Sequence, residues 1–525
     1  MLKSTAAMGA ATLTSRVLGM AREVVYANFM GTTWVASAFI LAFQVPNLFR
    51  RLLGEGALTA AFIPIFKAKE EECPKAMWQA ANAVVSGLAA AAGILTLLVV
   101  LGLTVALAVG HGTFSAPTEL MLRLLRVMFP YTLLVCLAAV FIGMANARGY
   151  FFVPALGAVA LNVIMIASVF FLAPHMGVRL DQRVFALAIG VLAAGVAQAL
   201  FQWPLLRREG WQFAWVNPWH DPTVHEVVRK MIPGSIGVAA FQINVLLTQS
   251  FSYWFDERVV STFSYAVRLM ELPQGMFGIS LATYLLPTLS GIAARKDYPE
   301  FRRTLGAGLA QLAFANLAAA AVCLALAEPI VRLLFERGKF DATSTTRVAH
   351  ALLCLAPGLL MFSMNNILAR AFYALKDIRT PMWISVFCLG LNLVVAFWLV
   401  RHFEEARVGG EVGLGIANTF SGACNTVLLL YSLRRKLHHL DLLPLRNDLL
   451  ALLAAAVLAG GAAYYAAAAW TARFGHATLH AKLGEVFLPL TIAALVYGAV
   501  AFGLKVPAAR EVVDLVMKKL RRSRA

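Results

Sequence analysis

Residues 77–110 read MWQAANAVVSGLAAAAGILTLLVVLGLTVALAVG, from Met77 to Gly110, without one charged side chain. As a helix, a run of this kind crosses a hydrocarbon core of about 30 Å. Comparable apolar runs of about 20 residues recur along the chain, separated by short polar breaks. Of its 525 residues 60% are hydrophobic and only 14% charged, and the mean hydropathy is +0.74. A soluble protein of this size would carry about a quarter charged residues. Lipid is therefore the solvent for most of the molecule, and the fold class is an all-α polytopic membrane protein.

Working outward from that run, about fourteen transmembrane helices are expected, near residues 5–30, 33–52, 77–110, 121–147, 154–173, 183–206, 228–253, 259–289, 304–327, 347–373, 381–401, 411–433, 447–470 and 484–504. The first is read as a retained helix, because Arg16, Arg22 and Glu23 interrupt it and no cleavage pattern follows. An even count puts both termini on one side. Lys67, Lys69, Lys75, Arg207, Arg208, Arg295, Lys296 and Arg434–Lys436 share that side, as do the basic residues of the tail. Such a bias marks the cytoplasm, although Arg332, Arg337 and Lys339 fall opposite.

The chain also echoes itself. Ser37-Ala38-Phe39 and Ala42 recur 224 residues later as Ser261-Thr262-Phe263 and Ala266, and Phe62-Ile63-Pro64 recurs as Leu285-Leu286-Pro287. Pro154 with Leu161-Asn162 is matched by Pro381 with Leu391-Asn392. Repeats of this kind build transporters that bind substrate between two bundles. Two pseudo-symmetric six-helix lobes plus two extra C-terminal helices are thus expected. The N-lobe covers 1–206, an interfacial cytoplasmic linker 207–227, the C-lobe 228–437, the last two spans 438–505 and a basic tail 506–525. Trp211, Trp215 and Trp219 suit the linker to the headgroup region. The tail alternates apolar and basic groups and is suited to anionic phospholipids.

The formal charge of +18 would suggest nucleic acid in a soluble chain, but here it sits in membrane-flanking loops and inside spans, so no nucleic-acid partner is expected. No phosphate loop, metal-binding HExxH or nucleophile elbow is present, so the chain is not read as an enzyme. The six cysteines show no CxxC spacing and suit small core positions. No cofactor is expected, and any coupling to sodium or to the membrane potential has no sequence signature.

The informative charges lie within the apolar runs. Thr12, Arg16, Gly19 and Glu23 recur at helical spacing as one stripe, with Arg22 beside it. An arginine at the bilayer centre costs about 2.5–3.5 kcal/mol on insertion scales, so such a stripe faces water or a partner. The second span ends Pro46-Asn47-Leu48-Phe49-Arg50-Arg51-Leu52-Leu53-Gly54-Glu55, with Arg51 and Glu55 spaced to pair along a helix. Arg268-Leu269-Met270-Glu271-Leu272-Pro273 repeats the combination in the second half. Arginine outnumbers carboxylate in this set. A site with surplus guanidinium groups suits a polyanion, and the planar fork fits a diphosphate. Arg50 and Arg51 snorkelling to the interface, with Glu23 merely neutralising Arg16, is the plainer alternative. Asn162, Asn244, Asn365, Asn366 and Asn392 are expected to bond helix to helix.

The runs Thr14-Ser15-Arg16-Val17-Leu18-Gly19-Met20-Ala21-Arg22-Glu23, Val45-Pro46-Asn47-Leu48-Phe49-Arg50-Arg51 and Arg268-Leu269-Met270-Glu271-Leu272-Pro273 resemble the MurJ (MviN) family of bacterial lipid II flippases. Gly338-Lys339-Phe340, Ala371-Phe372-Tyr373-Ala374 and Asp377-Ile378-Arg379-Thr380-Pro381 extend the resemblance over essentially the whole chain. It implies a two-lobed, alternating-access transporter of the multidrug/oligosaccharidyl-lipid/polysaccharide exporter superfamily, multi-pass in the inner membrane. The implied substrate is lipid II, the undecaprenyl-diphosphate-linked peptidoglycan precursor. The implied substrate-binding residues are Arg16, Arg22, Arg50 and Arg268, with Glu23, Arg51, Glu55 and Glu271 beside them. The last two spans would hold the polyprenyl tail, and the protein would act as a monomer, alone or with cell-wall synthesis machinery. Ser37 and Gln44 depart from the family pattern, where an acidic residue and a lysine are common, and the seventh span lacks a mid-span carboxylate for sodium. Alternatives are a flippase for another lipid-linked glycan, a cation-coupled drug exporter and a non-transporting cell-wall scaffold.

Overall fold

The computed structural model describes residues 2–52, 58–439 and 443–510, with side chains throughout except at 2–13, 59–60, 74, 233–238, 240–241 and 443–445. Among the described residues there is no strand. The chain divides into two compact units, Met1–Ser261 and Thr262–Ala525.

The first unit holds α1 (Leu2–Met30), α2 (Trp34–Phe49), α3 (Leu58–Glu72), α4 (Pro74–Val109), α5 (Ala116–Met128), α6 (Tyr131–Ala147), α7 (Phe152–Ala167), α8 (Leu180–Arg183), α9 (Phe185–Arg208) and α10 (Pro222–Phe255). Helix α11 (Val259–Pro273) begins in it and continues into the second. The second unit then holds α12 (Ser280–Ala294), α13 (Tyr298–Ala325), α14 (Ala327–Phe335), α15 (Ala342–Leu355), α16 (Gly358–Ala374), α17 (Arg379–Glu405), α18 (Gly410–Lys436), α19 (Leu443–Phe474) and α20 (Leu479–Gly503). Side-chain caps set many starts: Thr33, Ser115, Asp221, Asp297, Asp341 and Thr478 each accept a backbone N–H of the turn that follows.

Nine helical stretches among the described residues are long and apolar enough to cross a membrane, or eleven if α5 with α6 and α15 with α16, bent by 41° and 48°, each count as one span. These eleven coincide with eleven of the fourteen expected runs. The remaining three are α1, α2 and α10. All three are helices, but α1 carries Arg16, Arg22 and Glu23, and α2 is only 16 residues long. The polar groups that weaken α1 as a lipid-facing helix are those that make it a candidate site.

Each unit buries its own core. In the first, Met30, Phe39, Leu124, Met128, Val135 and Leu187 pack together, and a second cluster gathers Phe62, Phe66, Met77, Phe141 and Trp211. Trp211 is 1% exposed: its indole N–H donates to Asn82 Oδ1 of α4 at 2.8 Å, while Trp215 and Trp219 stay exposed. Asn82 Nδ2 in turn donates to Gln212 O, so α4 pins the start of the connection to α10. Arg148 fastens α3 to the end of α9 through Glu70 and Glu209, and the Tyr150 hydroxyl donates to Glu209 as well. The Tyr150 hydroxyl first, and Arg148 next, hold the Glu209 carboxyl below the usual range.

In the second unit α19 and α20 lie side by side, and α19 runs along α13 on small residues, Ala455, Ala459 and Ala463, with Gly460 against Ala321. Helices α17 and α18 approach so closely that a Cβ on Gly413 would stand 2.7 Å from the Leu399 carbonyl carbon. Only glycine fits there.

Candidate functional site

The candidate residues fall into two groups, one in each unit. In the first unit α1 carries Arg16, Arg22 and Glu23. Arg16 is exposed, and among the described residues it makes no ion pair. Arg22 is 14% exposed; it donates to Glu23 Oε1 at 2.6 Å and lies over the Tyr26 ring at 5.8 Å. Its NH1 also approaches Met165 Sδ of α7 at 3.9 Å. Glu23 thus serves Arg22, its chain neighbour, rather than Arg16.

Helix α7 steadies this stretch of α1. Asn162 Nδ2 donates to Ser15 O at 3.3 Å, immediately before Arg16, and to Ala158 O of its own helix. The helix-to-helix role expected of Asn162 is therefore present. Below Arg22 an aromatic ladder runs from Tyr26 to Phe39, Phe43 and Tyr131, with ring centroids 5.9, 6.1 and 6.0 Å apart. It joins α1, α2 and α6 and gives the guanidinium a rigid floor. Tyr26, Met165 and the ladder were not among the sequence candidates, since aromatic and methionine side chains in apolar runs read as ordinary core.

The end of α2 supplies the next two cations. Pro46 removes one helical hydrogen bond. Arg50–Leu52 then widen into a π-helical turn, a distortion common at functional sites. Arg50 Nε donates to Asn47 Oδ1 at 2.7 Å, one turn back. Arg51 is half-buried, and its Nε is buried without a hydrogen bond. Glu55, expected to pair with Arg51, lies outside the described residues.

In the second unit Arg268 donates to Glu271 Oε2 at 2.8 Å, and both side chains are 40% or more exposed. Pro273 ends α11, and Gln274–Ile279 form another π-helical stretch before α12. Each unit therefore places arginine beside a proline and a π-helical widening, the feature that the internal echo suggested. Irregular backbone at membrane depth is tolerated where it is buried in protein or lines a cavity. Chemically, each group offers guanidinium forks to an anion, those of Arg22, Arg50 and Arg268 held by a neighbouring side chain.

The second unit also contains buried ion pairs that the sequence did not reveal. Arg347 holds the fully buried Glu411 through Nε at 2.7 Å and NH2 at 2.5 Å. Arg332 holds Glu485 at 2.6 Å and fastens α14 to α20. The partners are 64 and 153 residues apart, so no local spacing could have linked them.

A family model described as lipid II flippase MurJ matches residues 26–483. The chain is 33% identical over 443 residues to the probable lipid II flippase MurJ of Vibrio cholerae serotype O1, covering 82% of each. It is 35% identical over 437 residues to the lipid II flippase MurJ of Burkholderia cenocepacia, covering 81% of this chain and 82% of that one. In three dimensions it is similar to lipid II flippase MurJ in an inward closed conformation, with a TM-score of 0.75 at 21% identity over 94% of this chain and 97% of the other. That likeness shows the fold.

Proposed function

Since the chain belongs to the lipid II flippase MurJ family, we propose that it carries lipid II from the cytoplasmic to the periplasmic leaflet of the bacterial inner membrane by alternating access. Arg16, Arg22, Arg50 and Arg51 of the first unit and Arg268 of the second serve the diphosphate. Glu23, Glu55 and Glu271 orient them and moderate their charge. Helices α19 and α20 hold the polyprenyl tail, and the basic segment 506–525, of which 511–525 lie outside the described residues, serves anionic phospholipid. The protein acts as a monomer and a transporter without bound cofactor or chemical turnover.

The observation that carries this reading is Arg16 with Arg22. One helix presents two guanidinium groups, of which Arg16 is exposed and, among the described residues, without an ion pair. A cation in that position is stabilised by water or by an anion that enters. A diphosphate offers such an anion, and guanidinium binds it through paired charge-assisted hydrogen bonds.

The test is lipid II accessibility at the outer leaflet of cells depleted of their own flippase. The chain is expected to restore exposure, and Arg22→Ala, at equal expression, to abolish the effect. A well-expressed wild type that restores nothing would overturn the reading in favour of another lipid-linked glycan or a scaffold.

A further inference from the structure

Arg370 lies within α16, four residues before the end of that helix at Ala374, among residues that pack into the core of the second unit. Its NH1 donates to Thr283 Oγ1 of α12 at 2.7 Å. Thr283 in turn donates to Ile279 O at 2.8 Å. Thr283 stands eleven residues before Ala294, about 16 Å from the end of α12. Arg370 itself stands about 6 Å from the end of α16, so its side chain reaches Thr283 from nearer a helix end.

Arg370 differs from the structural arginines of the same unit. Arg332 and Arg347 are each paired with a buried carboxylate at 2.5–2.6 Å. Among the described residues Arg370 has no carboxylate partner, and its hydrogen bond goes to a neutral hydroxyl. A guanidinium carries five N–H donors, so most of them remain available. Because Thr283 is fixed by its own backbone bond, the orientation of the fork is set before any ligand arrives. Thr283 is exposed and Arg370 half-buried, so the pair is open to an incoming group.

Resting on the flippase reading above, we propose that Arg370, oriented by Thr283, is a further binding group for the substrate diphosphate. Helices α11 and α12 with the π-helical stretch between them form one span, Val259–Ala294. Arg268 and Thr283 stand fifteen residues apart on it, about 22 Å along the axis. That distance exceeds the length of a diphosphate. Arg268 and Arg370 therefore act at two depths, with Arg370 nearer the face assigned to the cytoplasm. Arg370 receives the diphosphate early, and Arg268 holds it deeper in the path.

The experiment measures binding of undecaprenyl diphosphate and of uncharged undecaprenol to the full chain in nanodiscs. Arg370→Ala and Arg370→Gln are each expected to weaken diphosphate binding by about 10- to 100-fold, the range for charged hydrogen bonds. Thr283→Val is expected to weaken it a few-fold, while undecaprenol binding stays unchanged. Arg401→Ala, which removes an exposed arginine paired with Glu405, is expected to bind as wild type. Wild-type binding by Arg370→Gln would mean that the side chain only bridges helices, and would overturn the proposal. Equal competition by phosphatidylglycerol would assign the site to a phospholipid and overturn it too. If Arg370→Ala does not accumulate, Arg370→Gln and Thr283→Val carry the test. Failure of the wild type to bind undecaprenyl diphosphate would instead sink the flippase reading itself.

Discussion

Ser37 and Ser261 are joined by two hydrogen bonds: the Ser37 hydroxyl donates to Ser261 Oγ at 3.0 Å, and the Ser261 backbone N–H donates to Ser37 Oγ at 3.0 Å. Both side chains are fully buried, and the residues occupy equivalent places in the internal echo. Ser261 is in the first turn of α11, where backbone N–H groups have no partner within the helix. Ser37 therefore acts as an N-terminal cap supplied from a distant helix. Ser37→Ala leaves that N–H buried and unsatisfied and is expected to destabilise the protein by about 1–3 kcal/mol. Ser261→Ala keeps the N–H bond and is expected to cost less. Thermal unfolding of the two variants in detergent checks the order, and equal melting temperatures would remove the capping role.

Trp211 and Trp215 offer a contrast four residues apart. Trp211 packs against Trp203 and Phe141 with ring centroids at 4.9 and 5.2 Å. Trp211→Ala is expected to cost about 3–5 kcal/mol, as for other large core truncations. Trp215, largely exposed, is expected to change stability by less than about 0.5 kcal/mol when replaced by Ala. Denaturation of both variants in one detergent separates them, and similar losses would contradict the burial difference.

That contrast marks how far the sequence can be read. The apolar runs identify the long helices, though not α3, α8 or α14, because the bilayer imposes length and polarity on each spanning helix separately. The arginines of α1 and α2 are also legible, since a charge inside such a run is conspicuous alone. Trp211 is not, because its burial depends on Asn82, more than a hundred residues earlier. Arg370 shared the same fate: its meaning rests on Thr283, which reads as an ordinary span residue. Pairing across helices is what local pattern omits.

Arg347 and Glu411 make that omission testable. Glu411 is fully buried and accepts two bonds from one guanidinium. Arg347→Met strands a carboxylate and is expected to cost about 3–5 kcal/mol. Arg347→Met with Glu411→Leu removes both charges and is expected to recover most of that loss. A double variant no more stable than the single one would show that the pair does not act as a unit.

Asp377, in the loop between α16 and α17, gives a pH dependence. Partial burial pushes its carboxyl upward, but Lys436 Nζ at 2.5 Å and the N–H and hydroxyl of Thr380 outweigh it and hold the group at about 2, against 3.8 ordinarily. A depressed carboxyl stabilises the fold above its unfolded value and ceases to do so as pH falls through the folded one. The contribution, up to about 2 kcal/mol, is thus complete above pH 4 and is lost between about pH 4 and 2. Asp377→Asn is expected to unfold more readily than wild type at pH 6, with the gap closing toward pH 2. A gap independent of pH would exclude titration of Asp377 as its source.

Arg22 separates charge from shape. Its guanidinium lies over Tyr26 and bonds Glu23, so the plane is held from two sides. Lysine keeps the charge but lacks the planar fork and is more strongly hydrated. Arg22→Lys is therefore expected to retain the salt sensitivity of diphosphate binding while weakening it about tenfold, the loss of roughly one charge-assisted bond. Tyr26→Leu, which removes the floor and leaves both charges, is expected to produce a smaller loss in the same direction. Binding of undecaprenyl diphosphate across a salt series reads both effects. If Arg22→Lys binds as well as wild type, Arg22 contributes only its charge, and the ladder from Tyr26 to Tyr131 supports the core of the first unit without orienting the site.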